Sequence, residues 1–504
     1  MAFPAARSAR AQPPHLEEAT LTDWEGWFRQ GRLTAAGAAE FYLARIEAFD
    51  RKGPAVHSVI EVNPDAIPIA EALDRERRSK GPRGPLHGVP VLIKDNLDTA
   101  DRMTTTAGSL ALAGSIASRD AAVVERLRAA GAVILGKTNL SEWANFRSAH
   151  SISGWSARGG LTHNPYALDR NPCGSSAGSA VAVAANFCAV AVGTETDGSV
   201  TAPSSVNGIV GIKPTVGLLS GAGIIPVAHS QDTAGPMARS VRDAAILLSA
   251  MTGPPASGKL PADYTRYLDP HGLRGARIGV ERGFFGANAA MDRVMEDALA
   301  EMKRQGAEIV DPAFLPSHGQ YEDAELEVLL YEFKVDLNRY LAATPRGVRA
   351  RSLADVIAFN QAHRQQEMPY FEQDLMEQAQ AKGPLTDKAY LDARARCLRL
   401  SRAEGIDAVV ARHNVQAIVA PTAGPAPLTD MAHGDPNWPS CTTPAAVAGY
   451  PHITVPAGFV SGLPVGISFF GAAWSEPVLL KLAYSFEQAT KARRPPTFAA
   501  TLNP

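Results

Sequence analysis

A series of short apolar runs, separated by stretches with helical spacing, limits what this chain can fold into more than any other feature. The runs are "HSVIEV" (57–62), "GVPVLIKD" (88–95), "AVILG" (132–136), "AVAVGTE" (189–195), "IVGIKP" (209–214), "ARIGVE" (276–281), "QAIVAP" (416–421) and "GLPVGISFFG" (462–471). Runs of this length that are mostly apolar suit strands buried on both faces. Between them, "TAAGAAEFYLARIEAFDRK", "IAEALDRERRSK" and "DAAVVERLRAAG" place apolar residues at helical intervals. Such alternation predicts an α/β fold: one large domain with a central mixed β-sheet covered by helices on both faces. From about 320 to 412 the sequence turns nearly all helical and more charged, which predicts a helical cap. Residues 1–18 read as a polar, proline-containing tail, leaving 19–504 as the domain.

Composition narrows the function. A chain of 504 residues has room for about three average domains, yet no repeat, low-complexity linker or charge block divides it. The net charge of −2 offers no field to steer nucleic acid or an anionic membrane, so neither is expected as a partner. The longest apolar run, around 180–192, is broken by Asn186 and falls short of the ~20 residues of a membrane span. Ala9-Arg10-Ala11 looks like a signal-peptidase site, but no apolar segment long enough for a signal precedes it. The expectation is therefore a cytoplasmic protein, with export from a trimmed precursor as the alternative. Cys173, Cys188, Cys397 and Cys441 are scattered without a C-x-x-C, so neither a metal site nor a disulfide framework is expected, and no cofactor. Cys173 reads as a small turn residue rather than a thiol nucleophile.

Three motifs compete to carry the chemistry. "GAVILGKT" (131–138) has the letters of a phosphate loop, which would make the chain a nucleotide-binding protein. A phosphate loop needs turning backbone at its variable positions, whereas Val133, Ile134 and Leu135 suit a buried strand. Gly174 to Gly178 spells G-x-S-x-G around Ser176, the elbow of a serine hydrolase. The preceding "THNPYALDRNPC" is polar, carries two prolines and cannot be the central strand that an elbow requires. The third motif is "GTETDGS" (193–199). Gly198, just before Ser199, lets successive N–H groups converge on one point, the construction of an oxyanion hole. Upstream, Lys94 ends an apolar run; adjacent Asp95 points to the opposite face, so Lys94 sits among apolar neighbours without that partner.

Together these stretches resemble the amidase signature family. The resemblance rests on "GVPVLIKDN" (88–96), "GAVILGKTNLSEWA" (131–144), "CGSSAGSAVAVAA" (173–185), "GTETDGS" (193–199), "GIVGIKPT" (208–215) and "AGYPHITVPAGFVSGLPVGISFFG" (448–471). It spans about 20 to 495, and "TNLSEWANFR", "SISGWSARGG" and "SQDTAGPMARSV" are most similar to the family's peptide-amidase branch. It implies a Ser-cisSer-Lys triad and an acyl-enzyme, with Ser199 as nucleophile, Ser175 as relay, Lys94 as base and Thr196, Asp197 and Gly198 as the oxyanion hole. It also implies hydrolysis of C-terminal carboxamides of peptides to acid and ammonia, and places Phe146 at an acyl-pocket position. Trp143 and Trp155 lie nearby in sequence, with core packing as their alternative role. The sequence departs from the commoner family text at Asp197, where a glycine is usual, and at Thr201, where an arginine is usual; the arginine's ion pair cannot carry over.

The implied chemistry asks one thing of Lys94. A lysine near its reference pKa of about 10.4 is charged at neutral pH and is no base; burial can lower that value by roughly 3 units. The same triad would cleave aryl amides, carbamates or esters, and a transamidating subunit is a further relative. A non-catalytic binding protein is the reading outside enzymes, although the lysine and both serines are present.

Overall fold

The computed structural model describes residues 14–252, 263–345 and 347–502. Most of the expected tail, including Ala9-Arg10-Ala11, lies outside them. Eleven strands form one mixed sheet: β1 (Val59–Val62), β2 (Pro90–Lys94), β3 (Val133–Thr138), β4 (Val190–Glu195), β5 (Val210–Lys213), β6 (Thr233–Ala238), β7 (Arg277–Val280), β8 (Glu308–Val310), β9 (Ala417–Pro421), β10 (His452–Val460) and β11 (Leu463–Phe470). Their spatial order is β1-β3-β2-β4-β6-β5-β10-β11-β9-β7-β8. Strands β3, β2 and β4 are mutually parallel, β4 and β6 antiparallel.

Every residue of β2, β3, β4, β5, β6, β9 and β11 is buried, so helices cover both faces of the sheet and the fold is the expected α/β layer structure. The apolar runs become strands within a residue or two of where the sequence puts them. Three strands carry no such signal. β6 is "TAGPMA", with glycine and proline where strand formers belong. It survives centrally because β4 pairs along its whole length, while the β5 ladder covers only Ala238 and Met237 and stops short of Pro236. β10 contains Pro456 beside a register shift, and β8 is a three-residue edge strand.

Helix Ala177–Ala184 lies buried against β2 and β4, and its small residues permit the approach. A Cβ on Gly178 would stand 2.4 Å from the carbonyls of Asn139 and Ser58. Helices Glu322–Ala342, Leu353–Ala362, Asp374–Gln380, Lys388–Leu398 and Asp407–His413 occupy the charged stretch after 320. The first packs on the third and fourth, and its Phe333 and Leu337 join a hydrophobic cluster with Trp143 and Phe146. Among the described residues no helix is long and apolar enough to cross a membrane.

Candidate active site

Parallel strands β2, β3 and β4 point their carboxyl ends the same way, the position where α/β sheets gather functional groups. Lys94 is the last residue of β2 and fully buried. Its Nζ lies 2.7 Å from Ser175 Oγ, 2.9 Å from Thr194 Oγ1 and 3.2 Å from the Thr194 carbonyl. Asn96 Nδ2 also donates to Thr194 Oγ1, at 2.9 Å. Asp95 turns to the other side, where Thr106 and Arg158 hold its carboxylate. No carboxylate among the described residues pairs with Lys94, and burial draws its pKa down from 10.5 to about 7, against the more distant charges of Asp232 and Glu195.

These partners suit a neutral amine. A neutral amine has two N–H groups and one lone pair: the N–H groups can serve the Thr194 carbonyl and hydroxyl oxygen, and the lone pair can accept the Ser175 proton. An ammonium would have to donate to all three neighbours in a dry site, which is the costlier state.

Ser175 follows a cis Gly174–Ser175 peptide bond and is fully buried. Ser176, centre of the G-x-S-x-G match, has its hydroxyl committed to structure. It donates to the Thr194 carbonyl (3.0 Å) and accepts from the Thr194 N–H (3.2 Å), while its own N–H donates to the Ser199 carbonyl (3.1 Å). Ser176 thus ties the start of helix Ala177–Ala184 to the loop bearing Ser199. Cys173 is buried, and burial pushes its thiol above the usual range.

The loop from Thr196 to Ser199 leaves β4 and enters helix Thr201–Val206. Gly198 has φ +74°, a conformation that an L side chain resists, and a Cβ there would meet Thr442 Oγ1 at 2.9 Å. The turn is locked from behind by Glu195. Its carboxylate accepts from the N–H groups of Val200 (2.8 Å) and Thr201 (2.8 Å) and from the Thr201 hydroxyl (3.1 Å). Thr201 therefore meets this carboxylate with neutral donors, where an arginine would form an ion pair. The backbone N–H groups of Thr196, Asp197, Gly198 and Ser199 find no acceptor among the described residues. Nor does the Ser199 hydroxyl, on a residue 7% exposed.

Supports for this loop come from sequence-distant segments and were not singled out by sequence. Asp232 accepts from the Thr196 hydroxyl (2.6 Å) and from the N–H groups of Val227 (2.8 Å) and Ala228 (2.9 Å). Gln231 Nε2 bridges the Thr196 carbonyl (3.3 Å) to Glu325 Oε1 (2.8 Å). Burial pushes Asp232 up to about 7 and Asp197 up to about 6. The stretch "SQDTAGPMARSV", already notable for its resemblance, held the signal for Gln231 and Asp232.

The structure thus joins Lys94 directly to Ser175, and places Ser199 against the same loop through the Ser176 N–H. Ser199 Oγ itself makes no hydrogen bond to Ser175, a slack that apo hydrolases commonly take up on binding substrate. Phe146 packs its ring 4.9 Å from Phe333, and Trp143 shares that cluster. Trp155 belongs elsewhere, edge-on to Tyr370 and Phe371. The phosphate-loop match is the buried strand β3, and its Lys137 donates to the Leu97 carbonyl and to Thr105 Oγ1. No turning backbone remains there to cradle a phosphate.

Known proteins resemble this chain over nearly its whole length. The sequence model of the Amidase family matches residues 38–480. A probable amidase of Arabidopsis thaliana is 43% identical over 502 residues, covering 96% of this chain and 92% of that protein. The crystal structure of native peptide amidase from Stenotrophomonas maltophilia superposes with a TM-score of 0.90 at 52% identity, covering 96% of this chain and 99% of that one. Peptide amidase in complex with the competitive inhibitor chymostatin gives 0.92 at 52% identity, covering 95% and 99%. A family match from residue 38 to 480, with relatives this similar end to end, places the chain in the amidase signature family, as a hydrolase of amide C–N bonds.

Proposed function

We propose that the protein removes the C-terminal carboxamide of peptides, releasing ammonia and the free acid through an acyl-enzyme on Ser199. The observation that carries the mechanism is a fully buried Lys94 whose nearest partners are two hydroxyls and a carbonyl, with Ser175 at 2.7 Å. Neutral Lys94 takes the Ser175 proton as Ser175 takes that of Ser199. Ser199 Oγ bonds to the carbonyl carbon, and the carbonyl electron pair moves onto oxygen. The unpaired N–H groups of Thr196, Asp197 and Gly198 receive that oxyanion; one such donor is worth about 10²–10³ in rate. Lys94 returns its proton through Ser175 to the departing nitrogen, the C–N bond breaks, and water repeats the sequence on the ester. On this reading residues 19–504 form the catalytic domain, with 320–412 as its cap, and Phe146 borders the acyl side.

The peptide carboxamide as substrate rests on the likeness to peptide amidases. The test compares ammonia released from a short peptide amide with aryl amine released from an anilide, using Ser199→Ala as control. Ammonia from the peptide amide, absent in the control, is the expected result. Cleavage of the anilide alone would keep the triad and overturn the substrate class.

A further inference from the structure

A cavity of about 480 Å³ borders the loop that supports Thr196, and none of Lys94, Ser175 or Ser199 lines it. Its walls come from five separate parts of the chain: Thr215 and Val216, His229 and Ser230, Arg394 and Arg402 of the helical stretch, Tyr450, and Trp474. Three features distinguish it from ordinary surface relief.

The first is unspent cationic donors. Arg394 makes no hydrogen bond or ion pair with any described residue. Arg402 spends only its Nε, on the Ala448 carbonyl at 2.8 Å, and lies 5.4 Å from the Tyr450 ring centre. The nearby acids Glu332 and Asp336 are already engaged, by the Ser230 N–H, Tyr390, His229 and Arg339, and do not line the cavity. The second feature is Ser230, a lining residue only 9% exposed, whose buried hydroxyl has no partner among the described residues. A buried hydroxyl without a partner is costly unless something completes it. The third is Trp474, a tryptophan left 51% exposed at the rim. Guanidinium groups are suited to planar carboxylates, and indole and phenol faces to an apolar body.

We propose that this cavity binds a small carboxylate carrying an aromatic body, at a site distinct from the one where the amide is cleaved. The carboxylate meets the free donors of Arg394 and Arg402 and the Ser230 hydroxyl, and its ring lies against Trp474 and Tyr450. The site stands one residue from the catalytic loop, because Gln231, next to Ser230, holds the Thr196 carbonyl.

The test is calorimetric titration of the full chain with phenylacetate, with 2-phenylethanol and inorganic phosphate as separate arms, repeated on Arg394→Gln and Arg402→Gln. Saturable binding of phenylacetate, absent for the neutral alcohol, is expected. Arg394→Gln should weaken it about tenfold or more, the value of a charge-assisted hydrogen bond, while amide hydrolysis without phenylacetate stays at the wild-type rate. Arg394 holds no other described residue, so this variant remains decisive if Arg402→Gln, which loses the bond to Ala448, fails to fold. Equal affinity in wild type and Arg394→Gln would put the ligand elsewhere and overturn the proposal. So would binding of phosphate without phenylacetate, or no saturable phenylacetate binding at all.

Discussion

Replacing Lys94 with methionine removes the proposed base while nearly keeping its shape, and the structure fixes what else must change. Burial lowers the lysine from 10.5 to about 7, which amounts to roughly 5 kcal/mol of preference for the neutral form. The folded value is depressed below the unfolded one, so between the two values the unfolded chain binds the extra proton. Stability from this group therefore rises with pH across that window, by about 1.4 kcal/mol per unit, and the whole penalty is present below pH 7. Methionine abolishes it. In exchange, Ser175 Oγ loses its partner, at about 1–3 kcal/mol. The Thr194 hydroxyl keeps Asn96 and its carbonyl keeps Ser176. Lys94→Met should thus be more stable than wild type by a few kcal/mol at pH 6.5, with the advantage shrinking steadily toward pH 9. Its amide turnover should fall by at least about 10²–10⁴, the usual worth of a general base. Denaturant midpoints for both proteins at pH 6.5, 7.5 and 9, beside ammonia release, read all of this. If the two stability curves run parallel in pH, Lys94 is not a neutral buried amine and the reasoning fails.

Two further outcomes follow from the same geometry. Because Lys94 must be deprotonated to act, kcat/KM should climb about tenfold per pH unit below its value of about 7 and level off above it; a profile flat from pH 5 to 9 would contradict a lysine base. Ser176→Ala should keep substantial activity but lower stability by about 1–3 kcal/mol, since its hydroxyl serves both Thr194 backbone groups; loss of all turnover with an unchanged melting temperature would reverse the roles of the two adjacent serines.

Much of this fold is legible in the sequence because buried parallel strands are written as uninterrupted apolar runs, and β2, β3 and β4 are of that kind. β6 is not: "TAGPMA" belongs to the sheet because strands on either side accept it, a tertiary effect with no local trace. The site divides in the same way. Lys94 at a strand end and Gly198 before Ser199 are local features, and each carries its reason in its neighbours. Asp232, Gln231 and Glu325 act on Thr196 from up to 129 positions away, a distance no window of sequence spans. The two false motifs fail for one physical cause, since letters do not fix backbone: "GAVILGKT" is a strand, and Ser176 is fastened to Thr194 on both sides.

On the proposed mechanism Ser199, not the Ser176 of the more familiar motif, attacks the amide. The most direct measurement is covalent trapping with a fluorophosphonate, followed by digestion and mass spectrometry of the modified peptide. One label per chain is expected, on Ser199, and none after Lys94→Met at neutral pH. A label on Ser176, or none on the active wild-type enzyme, would contradict it.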